Sequence, residues 1–182
     1  MTLNMKNLRK KVWLFSLILL GIVLVFLSKD NCIHYKEYKF CPSKGGYDVY
    51  YNNKYYFSIY YPLTELDCPN INIDRNFFKG EIHINFNPNL KGAFTIVASD
   101  LAIKMAQVLA YNDIPLENLK FYCLEKCEKF PTEKIDCNKT IHIIIDKGSP
   151  TLKRENKCIY ILGNESTIKK VYSCFVYNIF II

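Results

Sequence analysis

The chain has 182 residues, half of them apolar, with 24 lysines and arginines against 17 acids and a net charge of +7; this is room for one domain plus an accessory segment. Five of the bases (Lys6, Arg9, Lys10, Lys11 and Lys29) fall in residues 1–29 with no acid among them, so 19 bases face 17 acids in the rest. That near-balance excludes the broad basic face of a nucleic-acid binder, and no nucleic-acid partner is expected.

The N-terminal "MKNLRKKVWLFSLILLGIVLVFLSKDNC" holds an uncharged apolar run over residues 12–27, interrupted only by Ser16 and Gly21. At a rise of roughly 1.5 Å per residue sixteen residues span about 24 Å, and a flanking turn extends this toward a hydrocarbon core of about 30 Å. A buried core helix would leave one polar face, and this run has none. A cleaved signal peptide needs small residues at the −1 and −3 positions; cleavage after Ser28 would place Phe26 at −3. An uncleaved signal-anchor is therefore expected at residues 12–28, in contact with membrane lipid. A basic tail, 1–11, stays in the cytoplasm by the positive-inside rule. A neck at 29–46 and a domain at 47–182 lie outside the cell membrane. Secretion after cleavage is the alternative.

All eight cysteines follow the apolar run: Cys32, Cys41, Cys68, Cys123, Cys127, Cys137, Cys158 and Cys174. An even number in an exported domain points to disulfides, although eight cysteines allow 105 complete pairings. Two local expectations are open to sequence reasoning. Cys32 and Cys41 close a small loop near the membrane, and two of Cys123, Cys127 and Cys137 pair with each other.

Beyond the neck, "YDVYYNNKYYFSIYYPL" predicts a tyrosine-rich hairpin, residues 48–51 and 55–61, turning at Asn52-Asn53, because aromatic residues favour strands and Asn tolerates positive φ. In "EIHINFNP" Ile82, Ile84 and Phe86 alternate with His83 and Asn85, the pattern of a half-buried strand. Residues 93–111 predict a helix with good helix formers and no internal Gly or Pro. Strands follow at residues 119–124, at 140–146 and at 158–162. The middle one is apolar enough to be covered on both faces. "SPTLKREN" reads as an exposed loop, and "DKGSP" as a turn at a strand end. Asn164 is a suitable N-cap for a last amphipathic helix, whose apolar residues Ile168, Val171, Tyr172, Phe175, Ile179 and Ile182 recur at helical spacing.

The order from Glu81 is β-α-β-β-β-α. The fold class expected is α/β, with α+β as the alternative. It is an N-terminal transmembrane helix followed by a small two-helix, mostly β-sheet sandwich, with the helices sharing one face or, as the apolar strand at 140–146 favours, taking one face each, and the tyrosine hairpin extending a sheet edge.

No catalytic, cofactor-binding or metal-ligating residue is assigned from sequence. His34, His83 and His142 are the only histidines. Without H-x-H or H-x-x-x-H spacing, the two strand histidines read as structural. Four thiolates at Cys123, Cys127, Cys137 and Cys158 would suit zinc, but the first pair lacks the C-x2-C spacing and an oxidising exterior favours bridges. A Cys–His nucleophile with His142 meets the same objection. There is no G-x-S-x-G elbow and no phosphate loop. The tyrosines of residues 47–61 either stack on a sugar or pack across strands. Asn138 and Asn164 begin N-x-[ST] sequons and are glycosylation candidates.

The basic start, single anchor, cysteine-bearing α/β domain and closing "KCIYILGNESTIKKVYSCFVYNIFII" resemble a loose group of uncharacterised archaeal single-pass envelope proteins. The resemblance lies mainly in residues 93–111 and 140–182, and it carries no catalytic residue. An anchored, disulfide-stabilised external domain is expected to serve a structural or binding role in the cell envelope, with other envelope proteins as partners. An extracytoplasmic hydrolase or thiol oxidoreductase, or a secreted carbohydrate binder, is the rival expectation.

Overall fold

The computed structural model describes residues 31–74 and 76–181; the tail and anchor expected at 1–11 and 12–28 lie outside them. Eleven principal elements follow one another: β1 (Ile33–Tyr35), β2 (Tyr38–Ser43), β3 (Gly46–Tyr51), β4 (Lys54–Ile59), β5 (Ile82–Phe86), α1 (Ala93–Tyr111), β6 (Leu119–Cys123), β7 (Ile141–Lys147), β8 (Thr151–Glu155), β9 (Cys158–Gly163) and α2 (Ile168–Phe180). They form two sheets, an antiparallel meander β1-β2-β3-β4 and a five-stranded sheet in the order β6-β5-β7-β9-β8. In the second, β6, β5, β7 and β9 are parallel, and β8 runs antiparallel at the edge.

The mixed α/β class and the two helices agree with the sequence, but the arrangement differs in four respects. The tyrosine hairpin turns at Asn52 and Asn53, both with positive φ (49° and 61°), as expected. It does not extend the other sheet. It joins β1 and β2, formed by the part of the expected neck that is described, in a sheet of its own. Residues 151–155, expected as loop, form β8, whose lysine, arginine and glutamate suit a sheet edge exposed to water.

The helices also do not take one face each. Both pack on the face of the mixed sheet that carries Ile82, Ile84, Ile141, Ile143, Ile145, Ile159 and Ile161. The meander closes over their other side: Phe40 meets Tyr177, Tyr60 meets Tyr172 and Phe57 meets Phe180, at ring-centroid distances of 5.9, 5.9 and 5.0 Å. The fold is thus sheet, helix layer, sheet. This explains why α2 is buried nearly all round from Val171 to Asn178, although its sequence is amphipathic. Asn178 satisfies its burial by accepting from Ile71 N–H and donating to the carbonyls of Pro69 and Cys174.

α1 is long and apolar enough, by length and composition, to cross a membrane; here Phe94, Val97, Leu101, Met105, Val108 and Leu109 instead serve the core. Within the helix, buried Lys104 reaches both oxygens of Asp100 one turn earlier, at 2.8 and 2.9 Å. The N-terminus of α1 is capped from a distance. Its preceding residue is Gly92 (φ 62°), which offers no side chain, and the Glu165 carboxylate accepts from Ala93 N–H at 2.6 Å. The place where a helix N-terminus would take a phosphate is therefore filled by the chain's own carboxylate.

Candidate functional site

The other face of the mixed sheet carries its polar residues. β5 and β7 pair in parallel with His83 opposite His142. Strand alternation then places Lys120, His83, His142 and Cys158 in one row across β6, β5, β7 and β9, and Tyr122, Asn85, Ile144 and Tyr160 in the next. A sheet face this polar needs a cover that supplies partners.

The cover is the connection from β6 to β7, residues 124–140. Two disulfides hold it, Cys123–Cys127 at its start and Cys137–Cys158 to β9 at its end. Cys123 N–H donates to the Pro131 carbonyl, and Lys157 N–H to the Cys137 carbonyl. The segment wraps the β6 edge. Phe130 contacts Phe86 and Phe121, whose side chains lie on the helix side, with centroids at 5.4 and 6.2 Å. Glu133, three residues on, reaches the histidine side.

There Glu133 Oε1 lies 2.6 Å from His83 Nδ1 and 3.3 Å from His142 Nδ1. One potential ligand atom from each of His83, Glu133 and His142 falls within 4.8 Å of the others. His83 is 5% exposed and His142 1%. Asn85 Oδ1 is 3.0 Å from His142 Nδ1. Asp136 N–H points at His142 Nε2 over 3.4 Å, which places the ring hydrogen on Nδ1, shared between Asn85 and Glu133. Two buried nitrogens, His83 Nε2 and Asn85 Nδ2, have no hydrogen-bond partner. His83 Nε2 does come within 3.3 Å of Glu81 Oε2, outside hydrogen-bond geometry, and Glu81 is paired with Lys120.

The rings pack as closely as the polar atoms. His83 meets His142 edge-on at 5.2 Å and Tyr122 at 4.7 Å. Burial pushes the His142 pKa below the ordinary histidine value; the Glu133 and Asp136 charges pull it up, and His83 pushes it down. Burial, and then the Glu133 charge, raise the Tyr122 phenol.

Sequence reasoning treated His83 and His142 as separate structural residues; the structure brings them side by side. A signal was present in the repeated Ile-His-Ile of residues 82–84 and 141–143, since neighbouring parallel strands in register put matching positions together. Glu133, from an irregular loop, gave none.

The other candidates fall elsewhere. All eight cysteines are bridged: Cys32–Cys41 and Cys123–Cys127 in keeping with the local expectations, together with Cys68–Cys174 and Cys137–Cys158. No free cysteine remains among the described residues, so Cys123, Cys127, Cys137 and Cys158 offer neither a thiolate zinc site nor a nucleophile. His34 lies exposed on β1. Asn138 and Asn164 are both exposed. Asn138 Oδ1 accepts from Asn156 Nδ2. Asn164 Oδ1 accepts from the Ser166 and Thr167 N–H groups and holds the turn into α2.

The tyrosines of the hairpin pack on one another and on Tyr38 of β2: Tyr38–Tyr51, Tyr50–Tyr55 and Tyr51–Tyr56 lie 5.2, 6.0 and 6.4 Å apart. An apolar cleft of about 350 Å³ between α1 and the β6 edge is lined by Ile84, Phe86, Phe94, Ala98 and Phe121 among others, on the side away from the histidines. No protein-family model, no curated protein and no solved structure matches the chain.

Proposed function

We propose that the protein is a membrane-anchored extracytoplasmic domain serving as a structural or binding component of a cell envelope. It is held to lipid through residues 12–28, with other envelope proteins as its partners. The observation that carries this reading is the pairing of every cysteine. Four disulfides link residues in each layer of the fold, and such bridges persist in oxidising compartments. The uncharged run behind a basic tail supplies the tether and its direction.

A structural or binding role is favoured over catalysis because the most chemically equipped cluster, His83–Glu133–His142, is closed over by residues 124–140. A substrate could not touch His142 without displacing a doubly bridged loop. The test is protease added to sealed cells, followed by crosslinking in intact cells and identification of the linked proteins. Degradation of residues 31–182 and recovery of envelope proteins support the reading. A protected domain with alkylatable thiols overturns it.

A further inference from the structure

We infer that His83, Glu133 and His142 form a structural site for one divalent transition-metal ion of the Zn²⁺ class, which pins the disulfide-bridged loop 124–140 to the sheet. The inference does not depend on the side of the membrane the domain occupies.

The donor set is two imidazole nitrogens and a carboxylate oxygen. That combination suits a borderline ion such as Zn²⁺ and not Ca²⁺ or Mg²⁺, which take oxygen shells. An ion about 2.0–2.1 Å from tetrahedral ligands separates them by about 3.3–3.4 Å. Glu133 Oε1 and His142 Nδ1 already stand 3.3 Å apart. Glu133 and His83 are at hydrogen-bond distance, 2.6 Å, and separate by about 0.7 Å to admit the ion. Asn85 Oδ1 also lies against this ligand, 3.0 Å from His142 Nδ1.

An outer partner stands near one of the rings. A ligating histidine donates its second N–H to a carboxylate or carbonyl. His83 Nε2, which has no hydrogen-bond partner, lies 3.3 Å from Glu81 Oε2, and a turn of that carboxylate would bring it into line. For His142 the ring hydrogen moves from Nδ1 to Nε2. This gives up the long 3.4 Å contact from Asp136 N–H to Nε2. The two histidines are nearly fully buried, as in closed structural sites that keep no position for substrate.

The test uses the full-length protein in detergent, stripped with chelator and titrated with Zn²⁺ alone and with Co²⁺ alone. One equivalent should bind, the Co²⁺ form should show visible d–d absorption, and the thermal midpoint should rise with metal. Since the chain has three histidines, nitrogen NMR of the wild type reads the ligands directly: two rings shift at Nδ1 and His34 does not. Glu133→Gln, which removes a direct ligand, should weaken Zn²⁺ binding by more than the roughly 10–100-fold typical of losing an outer partner, while leaving the disulfide map intact. No binding, a shift at His34, or equal binding by a correctly bridged Glu133→Gln variant overturns the inference.

Discussion

The two faces of the five-stranded sheet are made by alternate residues of the same strands, and they are held by different means. Toward the helices, Ile82, Ile84, Ile143 and Ile145 meet α1 and α2 in an apolar layer continuous with the meander. Away from them, His83, Asn85 and His142 meet a loop without regular structure. Burial of apolar area secures the first face; covalent bridges and a shared carboxylate secure the second. A strand with polar residues inside a fold therefore needs its cover fixed by something other than the hydrophobic effect, and the cysteines at 123, 127, 137 and 158 supply it.

The largest loss is expected on the helix side. Phe175→Ala removes a fully buried ring from the central layer and should cost about 3–5 kcal/mol in denaturant unfolding. A loss below about 1 kcal/mol would mean that α2 is not enclosed between the sheets. On the loop side, replacing Cys137 and Cys158 together by serine opens a bridge spanning 21 residues and should cost about 3 kcal/mol. Hydrogen exchange separates this from general weakening: amides of β7 near His142 should exchange faster, while the centre of α1 keeps most of its protection.

A smaller effect is expected at the junction of the layers. Gly92→Ala would put a Cβ into the Glu165 carboxylate at a residue with φ of 62°, costing about 1–2 kcal/mol. Glu165→Gln, which keeps the shape and removes the charge, should cost less than 1 kcal/mol in the same assay.

The smallest effect near neutral pH lies where the meander meets the helices. Burial, and then the Asp100 charge, push the Tyr60 phenol up to about 12. Its folded pKa lies above the unfolded value of 10.0, so its contribution is complete below pH 10 and is lost as pH rises toward 12. Tyr172 and Tyr177 are raised by burial in the same direction. A spectrophotometric titration should therefore show a group of phenols that ionises only well above pH 10, together with unfolding. One transition near 10 would place these rings in water.

The helix-side face was legible in the sequence because its signals are periodic. Ala93–Tyr111 was delimited as it stands, and the β5 alternation sorted Ile82 and Ile84 from His83 and Asn85. Asn52-Asn53 marked its turn because few other residues tolerate positive φ twice in succession. The assembly of these pieces was hidden for physical reasons. An apolar β7 shows that both faces are covered but not by what, and a disulfide loop covers as well as a helix does. Nothing local distinguishes a hairpin that extends a sheet from one that starts another, and the charged β8 reads as loop because an edge strand exposes most of its side chains. Glu133 was invisible because its role depends on the path of residues 124–140.

Peptide mapping of the unreduced protein by mass spectrometry reads how the loop is fastened. Four bridges are expected, Cys32–Cys41, Cys68–Cys174, Cys123–Cys127 and Cys137–Cys158, with no alkylated thiol. Free cysteines at 137 and 158, or a pairing that joins Cys123 or Cys127 to another partner, would contradict this, because the loop that closes over the histidines would then lie elsewhere.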